Sequence, residues 1–529
     1  MLVGVMGRRA ETPVGPDVWA ECRELIPARS VFAFLAEHRD ELFPESMFVG
    51  LYPSPNGRPS VPPQVLAVAS VLQVLQNISD PEAAVMLRVD LRWKAAAGLG
   101  LHDPGFDASL FVYFRRRLAA AGSTDWLFER VRQVVDATGV LKGKRRRVLD
   151  STVFTDAVAT QDTVTQLIAS VRRVIREVPG AAQVLERHCC AHDYADPGKP
   201  RIAWDDEQAR DDLVDALVRD AHLLLAHLPE RELGEAAANA VGLLALVAGQ
   251  DVEPAPGSGG RDGRWRIAKG TVRDRMISTV DPQARHIHKT VSDYRAGFKG
   301  HVCFEPETGL FTAVALTPGC GPQFHEAVVA ADLLAGEPGP LAVLGDCAYG
   351  GAQSRAELAG VGYILFVNPP PLRATVPGGY TLDDFIIDTA AGTATCPAGH
   401  TAQLSKPRPA GERNASFTPF CHECPLRARC TKAKDGRHLS IPAHHDAQAA
   451  ARAQAATDQH WQHEYRQWRP AVERGIAHLT AHGRRLHYLG VIKNDTWLQL
   501  RAAALNLRRL VNLGLAPANG TWTLTATTA

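Results

Sequence analysis

Apolar residues recur at three- and four-residue spacing through the first ~140 positions, a pattern that predicts a mostly helical region. Its clearest helix opens after Pro62 and Pro63, since proline suits a first helical turn, and carries Val65, Val68, Ala69, Leu72 and Leu75 as one stripe. Asp80 and Pro81 start another, with Ala84, Leu87 and Leu91 inward; Leu110 to Leu118 is a third, apolar–basic stretch. The period then changes. Val148 to Phe154 reads as a short strand with Asp150 at its centre. Residues 160–250 return to helix, broken by a polar loop around Asp193 to Lys199, and the Pro/Gly/Ser-rich stretch 254–263 is a linker.

Strand signals dominate after the linker. Phe298 to Phe304 and Leu310 to Leu316 flank a turn at Glu305 to Gly309, where glycine can take positive φ. A helix from His325 to Leu334, the apolar strand Leu341 to Asp346, a short helix Ser354 to Ala359 and the strand Tyr363 to Asn368 follow. This order predicts an α/β or α+β core with an insertion spliced after its first strand. Residues 370–455 interrupt the pattern with prolines, glycines and four cysteines. One helix then resumes near Asp458, with Trp461, Tyr465, Trp468, Val472, Ile476 and Leu479 on one face. A last helix carries Trp497, Leu500, Ala504, Leu507 and Val511.

At 529 residues the chain is too long for one ordinary domain. Lys and Arg total 58 against 57 Asp and Glu, so a uniformly basic protein is excluded and any nucleic-acid surface must come from local clustering. The longest apolar stretch, Ala240 to Gly249, is about half of what a bilayer span requires, and the first residues do not read as a secretory signal. No membrane association is expected. Ten cysteines, four of them crowded together, fit a reducing cytoplasm with one local metal site.

Two acids stand out. Asp150 and Asp346 sit on or just past apolar strands, where an unpaired carboxylate is expensive to bury. One is easily a structural cap; two on one sheet can converge on a divalent cation, and a pair of such ions supports phosphodiester cleavage. The third carboxylate is Glu473, which shares one side of its helix with Tyr465 and Arg469 at spacings of four; a plain surface ion pair is the competing reading. Glu464 is the lesser alternative. Cys396, Cys421, Cys424 and Cys430 have spacing suited to structural Zn²⁺, with His400 as a possible substitute ligand and four reduced thiols as the alternative. Cys189 and Cys190, beside His188 and His192, read as a helix end. Arg115, Arg116 and Arg117 are read first as a solvated helix face and second as phosphate contacts.

The combination resembles a DDE transposase of a bacterial insertion sequence. The matching pieces are Val148 to Thr152, Gly297 to Val302 with its hairpin, Leu316 to Gly319, Gly345 to Gly350, and the Tyr465/Arg469/Glu473 helix. The region from Arg58 to Leu118 is similar to the leader domain of one branch of these proteins. The resemblance implies a ribonuclease H-like mixed sheet whose first and fourth strands are neighbours. It also implies a catalytic centre of Asp150, Asp346 and Glu473 holding Mg²⁺ or Mn²⁺, two ions in all. It implies DNA contacts by Arg115, Arg116, Arg117, Lys144, Arg145, Arg146, Tyr465, Arg469, Arg484 and Arg485. Tyr465 and Arg469 depart from the family spacing by one residue, and Thr480 stands where relatives carry lysine.

The expected organisation is a helical DNA-binding domain (1–140), the first part of the core (141–160), a helical insertion and linker (161–267), the second part of the core (268–370), a zinc-binding insertion (371–455), the C-terminal core helices (456–515) and a tail (516–529). The expected activity is metal-dependent cleavage and strand transfer, as a homo-oligomer on double-stranded DNA that comprises the terminal inverted repeats and the target, at the bacterial nucleoid. The rivals are a domesticated DNA-binding protein without catalysis and a ribonuclease H-like nuclease without strand transfer.

Overall fold

A computed structural model describes residues 6–9, 13–53, 59–196, 198–229, 232–258, 263–270, 272, 274–288, 294–337 and 339–525. Arg58, part of the linker and the last four residues lie outside them. The N-terminal region is helical, as its periodicity predicts. Helix α1 (Pro63–Gln76) starts on its proline and ends at Asn77, in the left-handed conformation. The next helix, Asp80–Val89, opens with a capping box between Ser79 and Glu82. It stops before Leu91, which belongs to a separate helix, Leu91–Ala97, because Asp90 leaves the helical conformation and caps the new one. Ser109–Ala120 and α2 (Trp126–Thr138) complete the region.

A six-stranded mixed sheet follows. Strand β1 (Arg146–Thr155) pairs antiparallel with β3 (Tyr294–Glu305), which in turn pairs antiparallel with β2 (Arg285–His288) and β4 (Leu310–Pro318). On its other side β1 runs parallel to β5 (Ala342–Gly345), and β5 to β6 (Ile364–Val367). The two-residue alternation of β1 serves two layers. Val148 and Phe154 join the core under α2 and the C-terminal helices, whereas Leu149 joins an apolar layer under α3 (Glu326–Leu334) on the opposite face.

Between β1 and β2 the helices Thr163–Glu177, Ala181–His188, Glu207–His227 and Glu235–Gln250 pack on a core of their own. The linker reading is revised there. Val252–Pro254 and Trp265–Ile267 pair antiparallel, so short strands border the stretch read as a linker, whose residues 259–262 lie outside the described ones. The cysteine-rich segment also builds an apolar core, around Phe385, Phe417, Leu439 and Ile441, with a three-stranded and a two-stranded sheet. The single helix expected from Asp458 divides into α4 (Gln459–Trp468) and α5 (Pro470–Leu479), since Pro470 has no N–H to donate. Part of the expected tail is ordered. Leu515–Ala518 and Thr521–Leu524 form a hairpin whose Trp522 packs beside Phe34.

The long helix α6 (Val491–Asn512) joins these parts, packing against β4, α1 and α2. Arg501 on α6 is buried, at 1% exposure, and has no carboxylate partner among the described residues. Its guanidinium instead donates to the carbonyls of Val74 and Leu75 at the end of α1, and of His478 and Leu479 at the end of α5. Two helix C-termini thus compensate one buried charge. Burial still pushes the guanidinium down to about 10. Replacing Arg501 by methionine should cost about 3 kcal/mol, since several buried carbonyls lose their donors, and urea unfolding checks this. Arg501→Lys should recover part of the loss.

Candidate active site

The site grows from the parallel pairing of β1 and β5. Val148 faces Leu344 in that register, so two residues further along Asp150 and Asp346 lie side by side, Asp150 within the strand and Asp346 just past it. Asp346 bends the chain: its Oδ1 accepts the Ala348 N–H and starts a short turn. Asp150 is mostly buried; its Oδ1 accepts the Ser151 N–H and its Oδ2 accepts Arg469 Nη2 at 2.9 Å. Burial holds the Asp150 carboxyl above the ordinary aspartate range and the Asp346 charge adds to this, while Arg469 pulls the other way.

Arg469 occupies the joint between α4 and α5 with helical backbone angles on both sides, so the kink at Pro470 leaves its side chain directed at β1. Its Nη1 is 3.7 Å from Glu473 Oε1, and the guanidinium is only 11% exposed against 69% for the Glu473 side chain. Nε and Nη1 of Arg469 are buried without a hydrogen-bond partner. A single cation therefore stands between two of the three predicted acids. Tyr465, one turn earlier, stacks on Trp461 and lies close enough to Asp346 to feel its charge. Glu464, the lesser alternative, pairs with Arg146 at 2.9 Å.

Two neighbours, Glu326 and Tyr349, were not singled out by sequence reasoning as site residues. Glu326, at the start of α3, accepts from Ser151 Oγ at 3.2 Å and from Lys299 Nζ at 2.8 Å. Tyr349 is buried, and its hydroxyl, which has no hydrogen-bond partner, lies near Asp150, Glu326 and Asp346. His325 does not approach the acids; it caps α3 by accepting the Ala327 N–H. The Glu326 signal was a carboxylate in the first turn of a predicted helix, a position that helix-dipole stabilisation accounts for equally well.

Carboxylate oxygens are the hard donors that a divalent cation takes. As arranged here, however, no group of three or more His, Cys, Asp or Glu side chains among the described residues is placed to hold a metal ion. At the acids, Arg469 holds Asp150 and the Glu473 carboxylate faces solvent. Cys396, Cys421, Cys424 and Cys430 do line one small cavity of about 20 Å³, together with His400. Burial raises the Cys430 thiol. Cys421 and Cys430 belong to the apolar cluster around Phe385 and Phe417, and Cys396 packs against it.

The basic residues divide. Arg115 is engaged with Asp80 at 2.5 Å and lies over the Tyr488 ring. Lys144 pairs with Glu307, and Arg146 with Glu307 and Glu464. Arg484 binds Thr152 Oγ1 and the Val153 carbonyl, and Arg485 the Ala157 carbonyl, which ties the segment after α5 to the end of β1. Arg116, Arg117 and Arg145 are exposed. Cys189 and Cys190 form a helix end organised by Asp220, whose carboxylate accepts the Cys190 and Ala191 N–H groups.

Residues 20–117 match a family model described as a transposase domain (DUF772), and residues 395–511 match one described as a transposase DDE domain. These two matches support a DDE transposase of an insertion element. The second covers the cysteine cluster, Arg469 and Glu473 but ends short of the strands that carry Asp150 and Asp346, whose assignment rests on geometry. No curated protein and no solved structure matches the chain. A transposase family implies DNA as the substrate. Among the described residues, no helix is long and apolar enough to cross a membrane.

Removing the Arg469 charge exposes how the site is balanced. Asp150 titrates above its unfolded value, so the native state holds more protons than the unfolded one between the two, and stability falls as pH rises through that window. Arg469→Gln raises Asp150 further and widens the window. Denaturant unfolding should show a loss of about 2 kcal/mol near pH 8 that shrinks toward about pH 5.

Proposed function

We propose that this transposase binds the terminal inverted repeats of its own element, cuts the DNA there and joins the freed end to a target, with Asp150, Asp346 and Glu473 as its catalytic carboxylates. The observation that carries this reading is the placement of Asp150 beside Asp346 on neighbouring parallel strands, with Arg469 linking Asp150 to the Glu473 helix. The sheet order β4-β3-β1-β5-β6 supports a ribonuclease H-like core, in which the first strand and the fourth core strand are neighbours. The three acids would hold the divalent ions that such enzymes generally use, and Arg469 would exchange Asp150 for DNA phosphate when they bind. The ions supply activation of the attacking oxygen and stabilisation of the leaving one. Water opens the phosphodiester at the element end; the released 3′-OH attacks a target phosphodiester and displaces another 3′-oxygen.

The N-terminal helices are the proposed end-recognition module, with exposed Arg116 and Arg117 toward DNA. Pairing of two element ends calls for a homo-oligomer, acting at the nucleoid. Cleavage and joining of a labelled element end with Mg²⁺ or Mn²⁺ tests the reading. Wild type should give nicked and joined product, and Asp346→Asn should bind the same DNA while losing at least ~10³-fold in product. Equal binding with no cleavage by either protein would instead identify a DNA-binding derivative, and nicking without joining a nuclease.

A structural Zn²⁺ held by the four cysteines is the second metal reading, supported by their convergence on one cavity. Elemental analysis of the purified chain should find about one zinc per chain, lost with Cys421→Ser plus Cys424→Ser. Zinc-free protein with an unchanged melting curve would leave four packed thiols.

A further inference from the structure

A second basic feature lies on the flank of α5 away from Asp150. Phe304 and Phe311 of the β3–β4 hairpin, α5 and the C-terminal half of α6 enclose an open groove of about 640 Å³. Arg474 and His478 edge it from α5, and Arg508 and Arg509 from α6. Gly475 lets α5 approach this closely: a Cβ there would stand 2.8 Å from the Phe304 ring.

The charge in the groove is one-sided. Among the described residues Glu307 is its only lining acid, and that carboxylate is already taken by Lys144 and Arg146. Arg509 donates to the Thr308 carbonyl, a neutral partner, which fixes the guanidinium at the groove mouth. Arg474 and Arg508 have no carboxylate partner among the described residues. The buried Arg501, close enough to Arg508 to feel its charge, also has no acid partner among the described residues. An excess of guanidinium with so little carboxylate in a concave surface attracts a polyanion. Arg474 directly follows Glu473, so one helix presents the catalytic acid on one flank and the groove on the other. From Arg474 to His478 the helix rises about 6 Å, roughly two base-pair steps of duplex.

We infer that this groove holds the phosphate backbone of duplex DNA beside the cleavage site, with Arg474 and Arg508 as its two principal phosphate ligands. The inference rests on the transposase reading and adds a DNA-binding surface outside the N-terminal helices. Contacts from Arg474 and Arg508 to phosphate give affinity and position the duplex without reading base edges.

The test is fluorescence anisotropy of a ~30-base-pair duplex with the full chain, from about 50 to about 200 mM salt, comparing wild type, Arg474→Gln/Arg508→Gln and Arg474→Lys/Arg508→Lys. Two lost phosphate contacts lower the slope of log affinity against log salt by about 1.8, so wild type should lose about tenfold more affinity across that range than the glutamine variant. The lysine variant should keep the wild-type slope, and all three should share one melting temperature. An unchanged slope in the glutamine variant overturns the groove, as does weaker binding accompanied by a lowered melting temperature. Failure of wild type to bind duplex at low salt would instead overturn the transposase reading itself.

Discussion

The 22-residue helix α6 is the common wall on which three separately encoded parts meet, and buried Arg501 is its fastener. A guanidinium inside an apolar cluster is costly unless every donor finds an oxygen. Here the oxygens come from the ends of α1 and α5, which leave carbonyls unpaired by the nature of a helix terminus. The same charge therefore fixes the N-terminal helices and the Glu473 helix to one element, although they are separated by about four hundred positions in sequence. Asn506 extends the arrangement by exchanging two hydrogen bonds with the backbone of Phe311 at the start of β4. Because the core sheet is thereby tied to both flanks, the position of α5 over β1 follows from the packing of α6.

Much of this architecture was legible in hydrophobic period. The helices before residue 140, the hairpin after the insertion and the two strands ending near Asp346 and Asn368 all follow from spacing, and the structure contains each. What was not legible depends on single residues acting against the period. Pro470 splits one apolar stripe into two helices, and Asp90 ends a helix before Leu91 although the stripe continues. The cysteine-rich segment reads as poor in core because its apolar residues are scattered among turns; only folding brings Phe385, Phe417, Leu439 and Ile441 together.

The site was legible in part for a related reason. Asp150 and Asp346 announce themselves, since an acid within an apolar strand run demands an explanation. Glu326 does not: its partner Ser151 is 175 positions away and nothing local distinguishes it from a helix-start carboxylate. The basic residues were the least legible, because a charge looks the same in sequence whether it faces solvent, an acid or a phosphate. Arg115 meets Asp80 and Arg146 meets two glutamates, whereas Arg474 and Arg508 were indistinguishable from them until the groove was assembled.

Arg469 shows how these threads join. An arginine between carboxylates satisfies the metal-free site, lowers the repulsion between Asp150 and its neighbours and keeps a cation where negative charge is concentrated. The same guanidinium is suited to phosphate, and it sits on a joint whose backbone is helical on both sides, so its side chain can turn while the helices stay in place. Two of its nitrogens are buried without a hydrogen-bond partner among the described residues, a state that costs about 1–3 kcal/mol per group and favours any arrangement that supplies an oxygen. In the proposed function, an incoming phosphate would supply such oxygens and free Asp150 at the same moment, so that substrate and counter-ion exchange become one event.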